Sequence, residues 1–445
     1  MKKTLLKFLR RFISSIITIF INLTIYLSKK GLNLFSKYNG KSFLKNNKQI
    51  LIQGLIGLLI CAFGDLFAGI ILGNMTSYLE SFPGLIVLIP GSIGMRGNIY
   101  GALASRLGTN LHIGTLSPEL KKSDILSQNI QSSIILTLIL SISLGILAKV
   151  TCMIFNFNSM SFIDFILISS FAGLISSLVM LPATIIIPIK SVQNGWDPDN
   201  ITIPIITALG DLFTLPSIIL AIYLTLIIDN QFLKIIVGVL IIIFTLLSFY
   251  FSYNSGSTIK KILKQNTPVL FLSSLMGISA GQILNAFMST LLTNQSLLSL
   301  IPIFSGESGG LLSILSGRLT SAIHSGIIEP SYKLSDELMK NFKIILLLAI
   351  IIYPLIGLLV GGLLYFIGAL QLSIITIILI STISGLILIP ILTFAVFSIS
   401  IFSYINGFDP DNVAIPVETS LTDFLSNIVL IAVSLILFGS LMFKI

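Results

Sequence analysis

From Ile50 to Met442 the chain is a nearly unbroken series of apolar segments, at about 50–73, 84–108, 129–154, 162–189, 201–228, 235–253, 268–292, 297–320, 342–370, 372–403 and 413–442. A hydrocarbon core about 30 Å thick is crossed by about 20 apolar residues in a helix, and a helix satisfies its own backbone in that medium. The chain is 55% hydrophobic and 10% charged, with a mean hydropathy of +1.04, which excludes a soluble globular protein. A net charge of +9 would suit a nucleic-acid binder, but the Lys and Arg gather around the first apolar run and in short loops. That distribution reads as membrane topology, with lipid as the surroundings and no nucleic-acid partner. Cys61 and Cys152 lie inside apolar runs, so neither a disulfide nor a thiolate metal site is expected.

The last five segments copy the first five. GWDPDNITIPIITALGDLFTLP at 195–216 returns as GFDPDNVAIPVETSLTDFLSNI at 407–428, an offset of 212. PGSIGMRGNIYGALASRLGTNLHIG at 90–114 returns at the same offset as PIFSGESGGLLSILSGRLTSAIHSG at 302–326, keeping the proline, two glycines, Arg-Leu, His and the last glycine. Two motifs about a hundred residues apart that hold one offset imply an internal duplication. Five spans per copy would invert the second, but the extra run at 235–253 restores its direction. The expected fold is an all-α polytopic membrane protein of two parallel five-helix repeats joined by a linking transmembrane helix. The expected organisation is a basic segment at 1–48 whose apolar run at 12–27 forms an accessory helix, a first repeat at 49–230, the linking helix at 231–264 and a second repeat at 265–445. Lysines at 29–48, 121–122, 190, 260–264 and 333–343 all fall on one side, which the positive-inside rule makes cytoplasmic in a cell membrane. Both Asp-Pro-Asp-Asn turns are then cytoplasmic, and the loops near Glu80, Asp164 and Asp229 face outward.

Each fifth helix carries a lone acid, Asp211 or Asp423. If the helix begins near Ile201, Asp211 lies about 15 Å along it at 1.5 Å per residue, close to mid-membrane. An isolated carboxylate there costs about 2.5 to 3.5 kcal/mol, so it requires a partner, a water path or a bound cation. Asn200, Thr207, Asp211 and Thr214 share a helical face, as do Asn412, Thr419, Asp423 and Ser426. For the hydroxyls alone, bonding between helices is an equally good account. For the aspartates, equivalent positions in parallel repeats point to paired carboxylates that bind a cation. Without one, close carboxylates repel and titrate together, making binding pH-dependent.

The Asp-Pro-Asp-Asn turns are suited to capping helix starts, and also to attracting cations to an inner mouth. The glycines from Gly91 to Gly101 serve close packing, or break the helix so that carbonyls and Asn98 face an ion. Arg106 and Arg318 are expected to snorkel or bind carbonyls, and His112 and His324 to lie in interfacial loops. Asp65, Glu307 and Glu418 break the symmetry, since their counterparts are Gly277, Met95 and Ile206. Arg96 and Glu307 could pair across the axis, or Glu307 and Glu418 could hold a coupling ion or proton.

These motifs resemble the MgtE-type magnesium transporters, and more closely their solute carrier 41 branch, in which two membrane domains are fused. The resemblance covers about Ile50 to Met442 and rests on the paired Gly-rich segments and on Thr207-Ala208-Leu209-Gly210-Asp211 and Thr419-Ser420-Leu421-Thr422-Asp423. It implies that Asp211 and Asp423 are the pore aspartates, and it maps a family Gly-Asn pair onto Gly97 and Asn98. Gly310 stands in place of the Asn in the second copy, and the Gln that bacterial relatives carry after the pair is missing. Fewer than fifty residues precede the first repeat, so gating by the bacterial cytoplasmic magnesium sensor is not carried over. The implied activity is transport of a divalent cation, magnesium foremost, rather than an enzymatic reaction. Asp211, Asp423, Thr207, Thr419 and Asn98 would be the ligands and Asp65, Glu307 and Glu418 accessory acids. No cofactor is expected: magnesium is the substrate, with sodium or protons as coupling ions, and a fused pseudo-dimer can work as a monomer. Two other classes stay open from the residues alone. One is an ion-coupled carrier of another solute, favoured by the extra acids. The other is an intramembrane aspartyl hydrolase, disfavoured because its two acids would lie on dissimilar helices.

Overall fold

A computed structural model describes residues 43, 45–119, 123–194, 198–324, 326–406 and 410–442. The apolar run at 12–27 and the residues that open both Asp-Pro-Asp-Asn turns, Asp197 and Asp409, lie outside the described residues. The helices are α1 Lys48–Gly73, α2 Thr76–Ser81, α3 Leu85–Ile113, α4 Asp124–Ile154, α5 Phe162–Gln193, α6 Pro198–Ile227, α7 Gln231–Ser255, α8 Ser257–Ala286, α9 Met288–Leu292, α10 Gln295–His324, α11 Asp336–Phe366, α12 Ile374–Ile405 and α13 Pro410–Met442. Ten of them, among the described residues, are long and apolar enough to cross a membrane. The more polar α3 has 29 residues, and its counterpart α10 is one of the ten. Six long helices, α1 and α3 to α7, precede α8, so α8 runs in the direction of α1 and the repeats are parallel.

The duplication extends to the helix ends. Both bounds of α4 and α5 return 212 residues later in α11 and α12. Ser123 and Ser335 cap α4 and α11 by accepting from the Leu126 and Leu338 amides at 3.2 Å, and Ser161 and Ser373 do the same for α5 and α12. Gly114 and Gly326, at φ +77° and +71°, lie just past α3 and α10 in a left-handed conformation that a side chain would strain.

The repeats exchange their first helices. α1 packs on α10, α11 and α6, whereas its equivalent α8 packs on α3, α4 and α13. The two crossings are copies of each other: Gly69 of α1 lies against the backbone of Ser299 in α10, and Gly281 of α8 lies against the backbone of Val87 in α3. The core follows the exchange. Leu58 and Leu66 of α1 share one buried cluster with Leu311, Leu315, Leu348 and Ile352, and Ile262 and Leu270 of α8 share another with Ile99, Leu103, Leu136 and Leu140. Linking helix α7 stays peripheral against α4, α5 and α8, tied at its start by Lys234 to Asp164 at 2.9 Å and near its end by Ser252 to Gln131 at 2.8 Å. Its exposed Leu233, Ile235, Leu240, Phe244 and Leu247 form a face suited to lipid.

The Gly-rich motif does not break α3, which runs without interruption through Pro90 and all of its glycines. Its glycines are places of close approach, for example where Gly91 meets Gly277 of α8.

Candidate cation site

Four carboxyl groups gather where α1, α6, α10 and α13 meet. Helix α6 approaches α1 closely because Gly64 abuts Ala208: a Cβ on Gly64 would stand 3.2 Å from the Ala208 carbonyl oxygen. One residue along α1 and three along α6, the side chains of Asp65 and Asp211 meet within hydrogen-bond reach. Asp65 is 2% and Asp211 7% exposed. The Asp65 carboxyl also lies against Gly306 of α10, and the equivalent Gly94 of α3 lies against Asp423, whose Oδ2 is 3.0 Å from where a Cβ on Gly94 would stand. The repeated glycine pair thus makes room for one carboxyl group in each half. Ser305 donates to Asp423 Oδ1 at 2.6 Å, and Ser426 donates to Ser305 at 3.0 Å.

Glu307, 0% exposed, lies within charge-interaction range of Asp65, and both of its carboxyl oxygens lack a hydrogen-bond partner, as does Oδ1 of Asp65. Asp423 interacts electrostatically with both Asp65 and Asp211. Among the described residues none of the four is in an ion pair with a Lys or Arg. Buried, uncompensated acids in an apolar bundle are costly unless a cation or proton joins them. Among the described residues no three His, Cys, Asp or Glu side chains converge tightly enough to chelate one ion directly. The arrangement suits an ion that keeps water between itself and part of its surroundings.

The other expected residues are distributed differently. Asn98 accepts from Thr419 Oγ1 at 2.8 Å and donates to Ser420 Oγ at 3.4 Å, joining α3 to α13 across the repeats. Thr207 is half-buried at the α3–α6 crossing, its methyl group 3.8 Å from where a Cβ on Gly97 would sit. Glu418 stands apart from the four acids among hydroxyls, accepting from Ser400 at 3.3 Å and reached by Ser316. Arg96 does not pair with Glu307, because its Nε donates to Ser176 Oγ at 2.6 Å and its Nη1 to the Ser92 carbonyl at 2.7 Å. Through Nε, Arg106 and Arg318 each donate to an asparagine amide oxygen, Asn129 at 2.9 Å and Asn341 at 2.7 Å. The side chains of His112, His324, Asn200 and Asn412 lie outside the described residues. Sequence reasoning missed Ser305 as the donor to Asp423 and the contact of Asp65 with Asp211. The signal for the first was the serine beside the repeated Gly306; no spacing in the sequence pointed to the second, which depends on α1 and α6 packing together within the first repeat.

Residues 89–221 and 301–433 each match the MgtE family, described as a divalent cation transporter. The chain is 24% identical over 287 residues to solute carrier family 41 member 2 of Gallus gallus, covering 61% of this chain and 48% of that protein. It is 25% identical over 284 residues to member 3 of Rattus norvegicus, covering 61% and 60%, and 25% identical over 288 residues to member 2 of Homo sapiens, covering 61% and 48%. The matches therefore span about half of each of these relatives. No solved structure matches the chain.

Proposed function

The chain belongs to the MgtE family of divalent cation transporters, and from that premise we propose that it carries partly hydrated magnesium across the cell membrane between its two interlocked repeats. Asp211 and Asp423 hold the ion, with Asp65 completing the site beside Asp211. The observation that carries this reading is the set of four buried carboxyl groups from four helices with no basic partner among the described residues. Magnesium prefers six oxygen ligands at about 2.0 to 2.1 Å, sheds water reluctantly, and is commonly held by one or two carboxylates plus waters. The Asp65–Asp211 pair provides the carboxylates, and Asp423, set back on Ser305, is reached through water. Thr207, Thr419 and Asn98 act behind this shell by fixing where α6 and α13 sit against α3. The Asp-Pro-Asp-Asn turns face the cytoplasm and the loops near Glu80, Asp164 and Asp229 face outward. A single chain holding both repeats works as a monomer.

The test is magnesium flux into proteoliposomes, with and without an opposed sodium gradient. Native chain is compared with an Asp211→Asn, Asp423→Asn double variant whose insertion has been verified. Flux through the native chain alone supports the paired-carboxylate pathway, and a sodium requirement makes it an exchanger. No flux from the native chain under any gradient overturns magnesium as substrate, and equal flux from both overturns the site.

A further inference from the structure

The two repeated aspartates are held in different ways. Asp211 meets the carboxyl group of Asp65, whereas Asp423 is held at both of its oxygens by other groups. Ser305 of α10 donates to Oδ1 at 2.6 Å, and Oδ2 lies 3.0 Å from where a Cβ on Gly94 of α3 would stand. The serine is itself fixed. Ser426, one turn along α13 from Asp423, donates to Ser305 at 3.0 Å, so the Ser305 oxygen accepts from one neighbour while its proton serves the carboxylate. The first repeat has no such arrangement. Ile93 is the counterpart of Ser305, and Thr214, which stands where Ser426 does, bonds the Gly210 carbonyl of its own helix at 2.5 Å.

A carboxylate chelates a cation only when both of its oxygens turn to the ion together. Calcium takes about six to eight oxygen ligands and accepts carboxylates in that bidentate way, whereas magnesium sheds water reluctantly and keeps several of its waters. With Oδ1 occupied by Ser305 and Oδ2 seated against α3, Asp423 presents no two-oxygen face to an ion between the repeats. We propose that Ser305 determines specificity: by holding Asp423 back so that it meets the ion through water, it favours magnesium over calcium. A water held by magnesium donates to the set-back carboxylate without any further dehydration of the ion. Calcium forgoes a ligand that it otherwise takes directly. Ser305 is a positioning residue, since it acts through Asp423. The proposal rests on the reading of Asp423 as part of the cation site and adds to it the source of selectivity.

The experiment measures magnesium and calcium side by side, as equilibrium binding to the full chain in detergent and as flux into proteoliposomes. Ser305→Ala frees Oδ1 and is expected to lower the half-saturating calcium concentration relative to that of magnesium about tenfold. Ser305→Thr, which keeps the hydroxyl, should keep the native ratio. In an Asp423→Asn background, Ser305→Ala should leave the ratio of the two binding constants unchanged. Should Ser305→Ala fail to fold, Ser426→Ala, which removes the donor behind Ser305, decides by a smaller shift in the same direction. An unchanged ratio in Ser305→Ala, an equal loss of both ions, a Thr variant that behaves like Ala, or a shift that persists without the Asp423 carboxylate would overturn the assignment while leaving the magnesium site standing. A native chain that binds no magnesium would overturn the site itself, and this role of Ser305 with it.

Discussion

The two halves agree in scaffold and differ in their polar interior. Helix ends, serine caps and the Arg–Asn tie recur at one offset, while the residues around the acids do not: Asp65 faces Gly306 where its counterpart Gly277 faces Gly91, and Glu307, Ser305 and Asn98 answer to Met95, Ile93 and Gly310. Positions that set where a helix starts or crosses its neighbour are held to the same geometry in both copies. Positions around the buried acids differ between the copies. The four acids therefore sit in a two-fold scaffold with one-sided chemistry.

The comparison is broken most severely by removing what the halves share. Replacing both Asp211 and Asp423 by Asn should lower magnesium flux by about a hundredfold, near tenfold for each lost charge, since each factor of ten is about 1.4 kcal/mol. Next in size is the shared tie. Arg318→Ala loses a charge-assisted hydrogen bond worth about 1.5 to 3 kcal/mol. Arg106→Ala should cost less, because its two terminal nitrogens are already buried without partners; denaturation of the two variants in detergent should show this order, and the reverse order would break it. Asp65→Asn tests the one-sided chemistry and should reduce flux about tenfold. Unchanged flux would make the asymmetry dispensable. The smallest effect is expected for Ser305→Ala, which removes one hydrogen bond from Asp423 and should shift the half-saturating magnesium concentration about threefold to fivefold, or roughly 1 kcal/mol.

Most of the scaffold was legible in the sequence, because apolar length and a fixed offset are local properties that a membrane enforces strongly. Asp211 and Asp423 were legible for the same reason, as lone acids on repeated apolar helices. What could not be read was which helix each one faces. Asp65 and Asp211 are 146 residues apart with no shared periodicity, and they meet only because α1 and α6, four long helices apart in the chain, pack together within the first repeat. Of the two roles open to the glycine motif, close packing is the one the fold uses, since Gly in a membrane helix permits close approach without interrupting the ladder; the bonds of the Asn98 amide with Thr419 and Ser420 reach across the repeats and were not legible from local chemistry. The Arg–Asn ties were missed because each joins two helices, and nothing within α4 or α11 marks Asn129 or Asn341 as the partner of an arginine on the helix before it.

The exchange of first helices has a consequence for how the chain is made. Helix α1 ends at Gly73, and its main packing partner α10 begins at Gln295. At about 5 to 20 residues per second, roughly ten to forty seconds of translation separate the two. During that interval Asp65 sits in a newly inserted helix without the glycine it will rest against, and a ribosome that stalls in α7 leaves it stranded. Chains cut short before α10 should be recognised by membrane quality control and degraded. The two halves made as separate polypeptides should become stable only together, each donating its first helix to the other.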